Sequence, residues 1–354
     1  MMAILKGAAV TTAAFLIIML MSYWAAGQAN PSLDATARGY LQKRGLAHSF
    51  IELPKGWVHY RLEGPEGGPL IVLVHGFSVA SFVFDDYVAP LTAAGYRVLA
   101  FDNYGRGFSD RPDAIYDADL TDGLITELLD KLELGEPAHF VGYSMGGAAA
   151  VIFAARHPDR VRSLTLIAPA GLDIPGERNV DLIKRPLIGD WIVRMFGLRI
   201  FHDTAAEEAK AAPNPARFLA DFDRQMDYRG YGEALLSTLR NYPLTTSEAA
   251  YAEAGRSPRP VLVIWGEMDG TVPFANAQRL MQLMPYAALR SYPKSGHEIA
   301  FSQAPLVAGL ITDFIAAQGS GSASAGSGSI SRIGTRPAGA APQTAPKPAG
   351  AAVE

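Results

Sequence analysis

Ala138-His139-Phe140-Val141-Gly142-Tyr143-Ser144-Met145-Gly146-Gly147-Ala148-Ala149-Ala150-Val151 is an apolar run that breaks at a glycine-flanked serine and resumes in small residues. The pattern predicts a strand, a sharp turn at Ser144 and a helix starting directly after it. A chain that reverses so abruptly holds its turning residue under backbone strain, and the flanking glycines are needed because a Cβ there would collide with the neighbouring chain. The serine oxygen is thereby raised above the end of the strand. In a chain with 35 glycines a G-x-S-x-G pattern can arise by chance, so the strand before it and the helix after it set this one apart. Ser144 is the candidate nucleophile.

A serine needs a base, and the base needs a group to orient it. Of seven histidines, His48 and His59 precede the first clear core strand, His75 lies in a His-Gly turn, and His139 precedes Ser144 on its own strand. His157 and His202 sit beside charged or helix-ending residues. His297, in Lys294-Ser295-Gly296-His297-Glu298, follows the strand-like Ala288-Leu289-Arg290-Ser291-Tyr292 and a turn signal, which makes it the expected base. Pro260-Val261-Leu262-Val263-Ile264-Trp265-Gly266 reads as a strand covered on both faces, and Asp269 comes three residues after it. Its carboxylate would hold the Nδ1 proton of His297. Glu267 competes for this role, but Gly270 and Pro273 shape a turn directly after Asp269. The order Ser, Asp, His is that of one fold class.

With these residues in place, the chain from about Trp57 to Ala317 resembles the α/β-hydrolases, in particular the serine esterases and monoacylglycerol-lipase-like members. Leu73-Val74-His75-Gly76-Phe77 resembles the loop after the family's third strand, and Phe101-Asp102-Asn103-Tyr104-Gly105-Arg106-Gly107-Phe108-Ser109-Asp110 the segment after its fourth. The resemblance implies that the main-chain N–H groups of Phe77 and Met145 form the oxyanion hole. Taken without the family, Gly105-Arg106-Gly107 could open a dinucleotide loop, but Asp110 stands where a third glycine would be required. Haloalkane dehalogenases and epoxide hydrolases of this fold carry an aspartate at the elbow, and proline-iminopeptidase relatives a glycine-proline-rich oxyanion loop. Ser144 and His75-Gly76-Phe77-Ser78 match neither.

The expected architecture is an α/β-hydrolase fold, a mostly parallel sheet with helices on both faces. Strands are expected near residues 70–75, 96–102, 138–143, 163–168, 260–266 and 288–292. Leu120, Leu124, Leu128 and Leu132 mark one face of a helix within Asp117–Leu134. Residues 57–171 and 259–317 make the core, and residues 172–258, too long for a simple crossover between the sixth and seventh strands, make a helical cap. The cap is dense in Ile183, Leu187, Ile188, Trp191, Ile192, Met195, Phe196 and Leu198, interleaved with Lys184, Arg185, Arg194 and Arg199. That pattern suits either packing onto the core or contact with a membrane or greasy substrate.

Composition narrows the chemistry. Half the 354 residues are hydrophobic (49%), enough for one large core, and the net charge of −4 carries no basic run suited to nucleic acid. There is no cysteine, hence no disulfide or thiolate site. No metal-ligand spacing or P-loop is evident, and no cofactor is expected. Gly7 to Ala26 is nearly continuously apolar, and no charge occurs between Lys6 and Asp34. Residues 1–29 therefore read as a membrane anchor or as a signal peptide cut before Asn30, with the catalytic domain exported. Residues 30–56 connect this segment to the core. Residues 318–354, dominated by Gly, Ser, Ala and Pro, read as a disordered tail. The expected activity is hydrolysis of carboxylic esters with apolar acyl groups through an acyl-enzyme, as in a carboxylesterase or monoacylglycerol-type lipase. A C–C bond hydrolase or a cofactor-free haloperoxidase or perhydrolase would carry the same residues, and a non-catalytic ligand-binding protein could share the fold.

Overall fold

The computed structural model describes residues 2–43, 49–173 and 181–321, and among these eight strands form one sheet. They are β1 Ser49–Leu53, β2 Gly56–Glu63, β3 Leu70–Val74, β4 Arg97–Phe101, β5 Ala138–Tyr143, β6 Val161–Ile167, β7 Val261–Gly266 and β8 Ala287–Tyr292, in the spatial order β1-β2-β4-β3-β5-β6-β7-β8. From β4 to β8 all neighbours are parallel, whereas β1 pairs antiparallel with β2, and β2 with β4. The protein has the α/β-hydrolase fold.

β3, β5 and β7 are buried at every position, as continuous apolar runs must be when helices cover both faces of a parallel sheet. All six expected strands are present. β1 and β2 are the addition, so the sheet begins at Ser49, inside the segment 30–56 read as a connector. They carry Glu52, His59, Arg61 and Glu63 among their apolar residues, a mixture with no apolar run to announce a strand.

The Leu120 stripe lies on the helix Ala118–Lys131. Asp117 caps it by accepting the N–H of Leu120 at 3.0 Å, and Leu124, Ile125, Leu128 and Leu129 are its buried face. Between β6 and β7, the described cap residues fold into helices from Asp181–Lys184 to Glu248–Ala254. The final helix, Ala304–Gly321, carries past residue 317, where the core was expected to end; the remainder of the Gly/Ser/Ala/Pro tail lies outside the described residues, as does His48. The apolar N-terminal segment is one helix, Met2–Gln28, with Phe15, Ile18, Leu20 and Trp24 exposed.

Candidate active site

Ser144 stands between β5 and the helix Met145–Arg156 with φ 55° and ψ −120°, a left-handed conformation that costs a non-glycine residue of order 1–3 kcal/mol. Its surroundings hold it there. The Ser144 N–H donates to the Ile167 carbonyl at 2.9 Å, and the Ser144 carbonyl accepts from Gly147 and Ala170. A Cβ at Gly142 would lie 2.3 Å from the Gly146 carbonyl oxygen, and one at Gly146 would lie 2.0 Å from that of Val74. Both glycines are required by close backbone approach, as the sequence pattern implied.

The two other residues of the candidate triad arrive on loops following β7 and β8. These loops are fastened together: Glu267 N–H donates to the Tyr292 carbonyl (3.0 Å) and Met268 N–H to that of Ser295 (2.9 Å). His297 Nε2 is 3.0 Å from Ser144 Oγ, and its Nδ1 is 2.8 Å from Asp269 Oδ2. The Asp269 side chain is wholly buried, yet every side of it is met by a donor. Oδ1 accepts from Thr271 N–H (2.9 Å) and Val272 N–H (2.8 Å), and Oδ2 from Trp265 Nε1 (3.2 Å) as well as from His297. Glu267, the competing acid, points elsewhere and accepts from Ser291 Oγ. The arrangement can deprotonate Ser144 through His297 and stabilise the resulting imidazolium.

The loop after β3 runs alongside Ser144: a Cβ on Gly76 would be 3.4 Å from that of Ser144. Phe77 follows Gly76 in that loop, and the Met145 N–H is the first of its helix, with no intrahelical acceptor. The β3 loop is braced from below by His75, whose Nδ1–H donates to the Gly76 carbonyl (2.8 Å) while Nε2 accepts from the Asn103 N–H (2.9 Å). Burial pushes the His75 pKa down to about 4, which keeps it neutral in this role.

The segment after β4 closes around Asp102. Burial alone would raise the Asp102 pKa, but His59 Nδ1 at 2.7 Å, His75 and the Ser81 N–H hold it well below the usual carboxylate range. Gly107, at φ +50°, lies so close that its Cβ would be 1.9 Å from Asp102 Oδ2. Arg106, buried and with its pKa lowered by burial to about 10, donates from Nε to the Phe77 carbonyl (3.0 Å) and from Nη2 to Thr238 Oγ1 (2.7 Å) in the cap. Two further cap residues reach the same loop: Gln225 Nε2 and Tyr231 OH donate to the Ser78 carbonyl at 2.8 and 2.7 Å. In the sequence Arg106 stands within the Phe101–Asp110 segment without any sign of this role, and Gln225 and Tyr231 belong to no motif.

The cap helix Leu198–Ala209 brings Glu208 into the electrostatic surroundings of His297. Burial raises the Glu208 pKa; His297 opposes that rise and Glu298 adds to it. A cavity of about 610 Å³ lies elsewhere, on the Asp102 side of the β3 loop, and Ser144 and His297 do not line it. Its Arg61, Asp85, Arg217 and Asp221 neutralise one another in ion pairs. Among the described residues, no group of three or more His, Asp or Glu side chains is placed to hold a metal ion.

Residues 71–310 match the model of the alpha/beta hydrolase family. The chain is similar to the 2-hydroxy-6-oxononadienedioate/2-hydroxy-6-oxononatrienedioate hydrolase of Cupriavidus pinatubonensis, 28% identical and covering 75% of this chain and 94% of the relative. It is also 28% identical to the 2-hydroxymuconate semialdehyde hydrolase of a Pseudomonas species, over 75% of this chain and 93% of the relative. Among solved structures, the meta-cleavage product hydrolase of Pseudomonas fluorescens superposes with a TM-score of 0.61 at 25% identity, over 76% of this chain and 98% of that one.

Proposed function

The chain belongs to the alpha/beta hydrolase family and is a hydrolase, and from that premise we propose that Ser144 is its nucleophile, His297 its general base and acid, and Asp269 the group that orients His297. The observation that carries this reading is the bridge made by one imidazole, 3.0 Å to Ser144 Oγ on one side and 2.8 Å to Asp269 Oδ2 on the other. Ser144 Oγ attacks a carbonyl carbon as its proton passes to His297 Nε2. The oxyanion takes hydrogen bonds from the N–H groups of Phe77 and Met145. Collapse breaks the bond to the leaving group, which receives the proton from His297, and water then hydrolyses the acyl-enzyme by the same steps.

For the bond broken we infer a carbon–carbon bond next to a ketone, because the relatives are named as hydrolases of conjugated oxo-acids that contain no ester; the departing carbon would be stabilised by conjugation and protonated by His297. Hydrolysis of an uncharged ester is the second reading, and Glu208 favours it. The names of these relatives specify carboxylate substrates, whereas here a cap carboxyl group stands in the field of His297 together with Glu298.

Labelling by a fluorophosphonate probe should disappear in Ser144→Ala, and undiminished labelling would place the nucleophile elsewhere. A 2-hydroxy-6-oxo-2,4-dienoate and p-nitrophenyl esters of graded chain length, compared by kcat/KM on the native protein, separate the two bonds. Carbon–carbon cleavage requires the dienoate to be preferred by about a hundredfold or more, a gap of about 2.7 kcal/mol in transition-state binding, and the opposite order establishes the esterase.

A further inference from the structure

The cap carries an apolar tip that the fold takes trouble to expose. Leu187, between Pro186 and Ile188, is 83% exposed and has φ +66°, a left-handed conformation disfavoured for a leucine. It is held there by a clamp. Its N–H donates to Asp190 Oδ2 (2.8 Å), and Arg240 grips Asp190 with two nitrogens at 2.8 and 3.0 Å. Arg240 also donates to the carbonyls of Lys184 (2.9 Å) and Arg185 (3.1 Å), so one guanidinium fixes both arms of the turn. Ile188, Phe196 and Ile200, each about half exposed, continue the apolar surface, and the exposed Arg185 and Arg199 flank it.

The N-terminal helix ends on this same cap. The Tyr23 ring lies 4.0 Å from the Arg194 guanidinium, which forks onto Glu233 at 2.9 and 2.7 Å. Gln28 Oε1 accepts from Arg229 (2.8 Å), Asn30 Nδ2 donates to the Met226 carbonyl (2.7 Å), and the Arg229 N–H to that of Pro31 (2.9 Å). Arg194 belongs to the π-helical turn Val193–Gly197, which directly follows the helix Ile188–Ile192 behind the Leu187 tip. Beyond this attachment, Thr11–Gln28 is apolar, 6% buried and long enough to cross a bilayer, with Tyr23 and Trp24 near its attached end, where interfacial aromatic residues gather.

We propose that the Leu187 turn and the adjoining Ile188, Phe196 and Ile200 seat in the interfacial layer of an anionic phospholipid bilayer in which the N-terminal helix is embedded, with Arg185 and Arg199 on the headgroups. The occupant is a lipid surface because the apolar tip stands on the cap segment to which a largely exposed apolar helix is attached, and because Arg185 and Arg199, the latter 3.7 Å from Asp203, stand at its rim. Seated in this way, the cap faces the bilayer. This inference stands apart from the proposed chemistry, since it concerns depth in the membrane and not turnover.

The absence of cysteine makes the test direct. Leu187→Cys in the full chain is labelled with the environment-sensitive fluorophore NBD, and Glu136→Cys, exposed just before β5 at the end of that strand opposite Ser144, serves as the reference. In phosphatidylcholine/phosphatidylglycerol vesicles the label at 187 should shift to the blue, brighten several-fold and be quenched by lipid-borne doxyl groups, while the label at 136 stays water-like. Ile200→Cys reads the same face should the change at 187 disturb its turn. Water-like emission and free quenching by aqueous iodide at both 187 and 200 in vesicle-bound protein would overturn the proposal. So would shielding without lipid that weakens on dilution, which would assign the face to a second copy of the chain.

Discussion

In β3, β5 and β7 every residue is buried, whereas the cap helix Pro215–Met226 buries only Phe218, Phe222, Gln225 and Met226. A doubly covered strand leaves its sequence almost no freedom, and the loops that leave it inherit a fixed starting point. Ser144, Asp269 and His297 leave such strands or their neighbour, and so meet within 3.0 Å although Ser144 and His297 are 153 residues apart in sequence. A cap helix must satisfy only the stripe it turns inward. What it presents to the cleft is free to vary, so the candidate triad is expected to carry the chemistry from the core and the cap to set selectivity above it.

The comparison predicts its largest effect in the core. Asp269→Asn keeps the volume but turns an amide N–H₂ toward donors that need an acceptor, and it favours the wrong imidazole tautomer. It should lower kcat by roughly 10⁴-fold, read by steady-state kinetics on a soluble substrate. A loss below about tenfold would mean that His297 is not held by Asp269.

A second change tests whether the division is strict. Arg106 links the Phe77 carbonyl in the core to Thr238 in the cap, so Arg106→Gln should release the candidate oxyanion loop. Loss of a whole oxyanion donor costs about 2.7–4 kcal/mol, so a loosened one should lower kcat by roughly ten- to a hundredfold, with KM changed far less. If KM alone moves, Arg106 serves binding and the cap has no hold on the chemistry.

The smallest effect concerns stability in acid. His75 and His139 are both buried in the core, and burial lowers each pKa from 6.5 to about 4. Between those values the unfolded chain binds protons that the folded one refuses, so stability falls as pH drops from 6.5 towards 4, by about 3 kcal/mol for each histidine. Below about pH 4 the loss steepens, because the Asp102 carboxylate of the unfolded chain takes up a proton that the folded one, its pKa depressed, still refuses. Thermal unfolding across this window should show the decline, and His139→Gln should flatten it. The cap residue His202 acts in the opposite sense, since its hydrogen bond to Asp223 raises its pKa and adds stability as the pH falls, so His202→Gln should slightly steepen the decline.

Legibility followed the same division. The Ser144 elbow could be read because a close approach of backbones demands glycine at 142 and 146, a requirement that sequence records directly. Asp269 and His297 could be read because each follows a strand-like run, apolar throughout before Asp269. β1, the edge strand, and β2 beside it escaped notice because their partly exposed positions carry charges that look like connector. Leu187, one of eight apolar residues in a dense stretch, could not be told apart from Trp191, which is half-buried with its ring against Phe196.

The sequence by itself determined the fold family and pointed to the candidate nucleophile with its base and acid, since each follows from burial on two faces or from glycine geometry. Only the tertiary structure decided that Arg106, Gln225 and Tyr231 hold the β3 loop, that Glu208 stands in the field of His297, and that Arg240 clamps an exposed Leu187 beside the N-terminal helix. Those relations join residues distant in sequence through single side-chain hydrogen bonds or through the electric field, and such contacts impose no periodicity that a sequence could display.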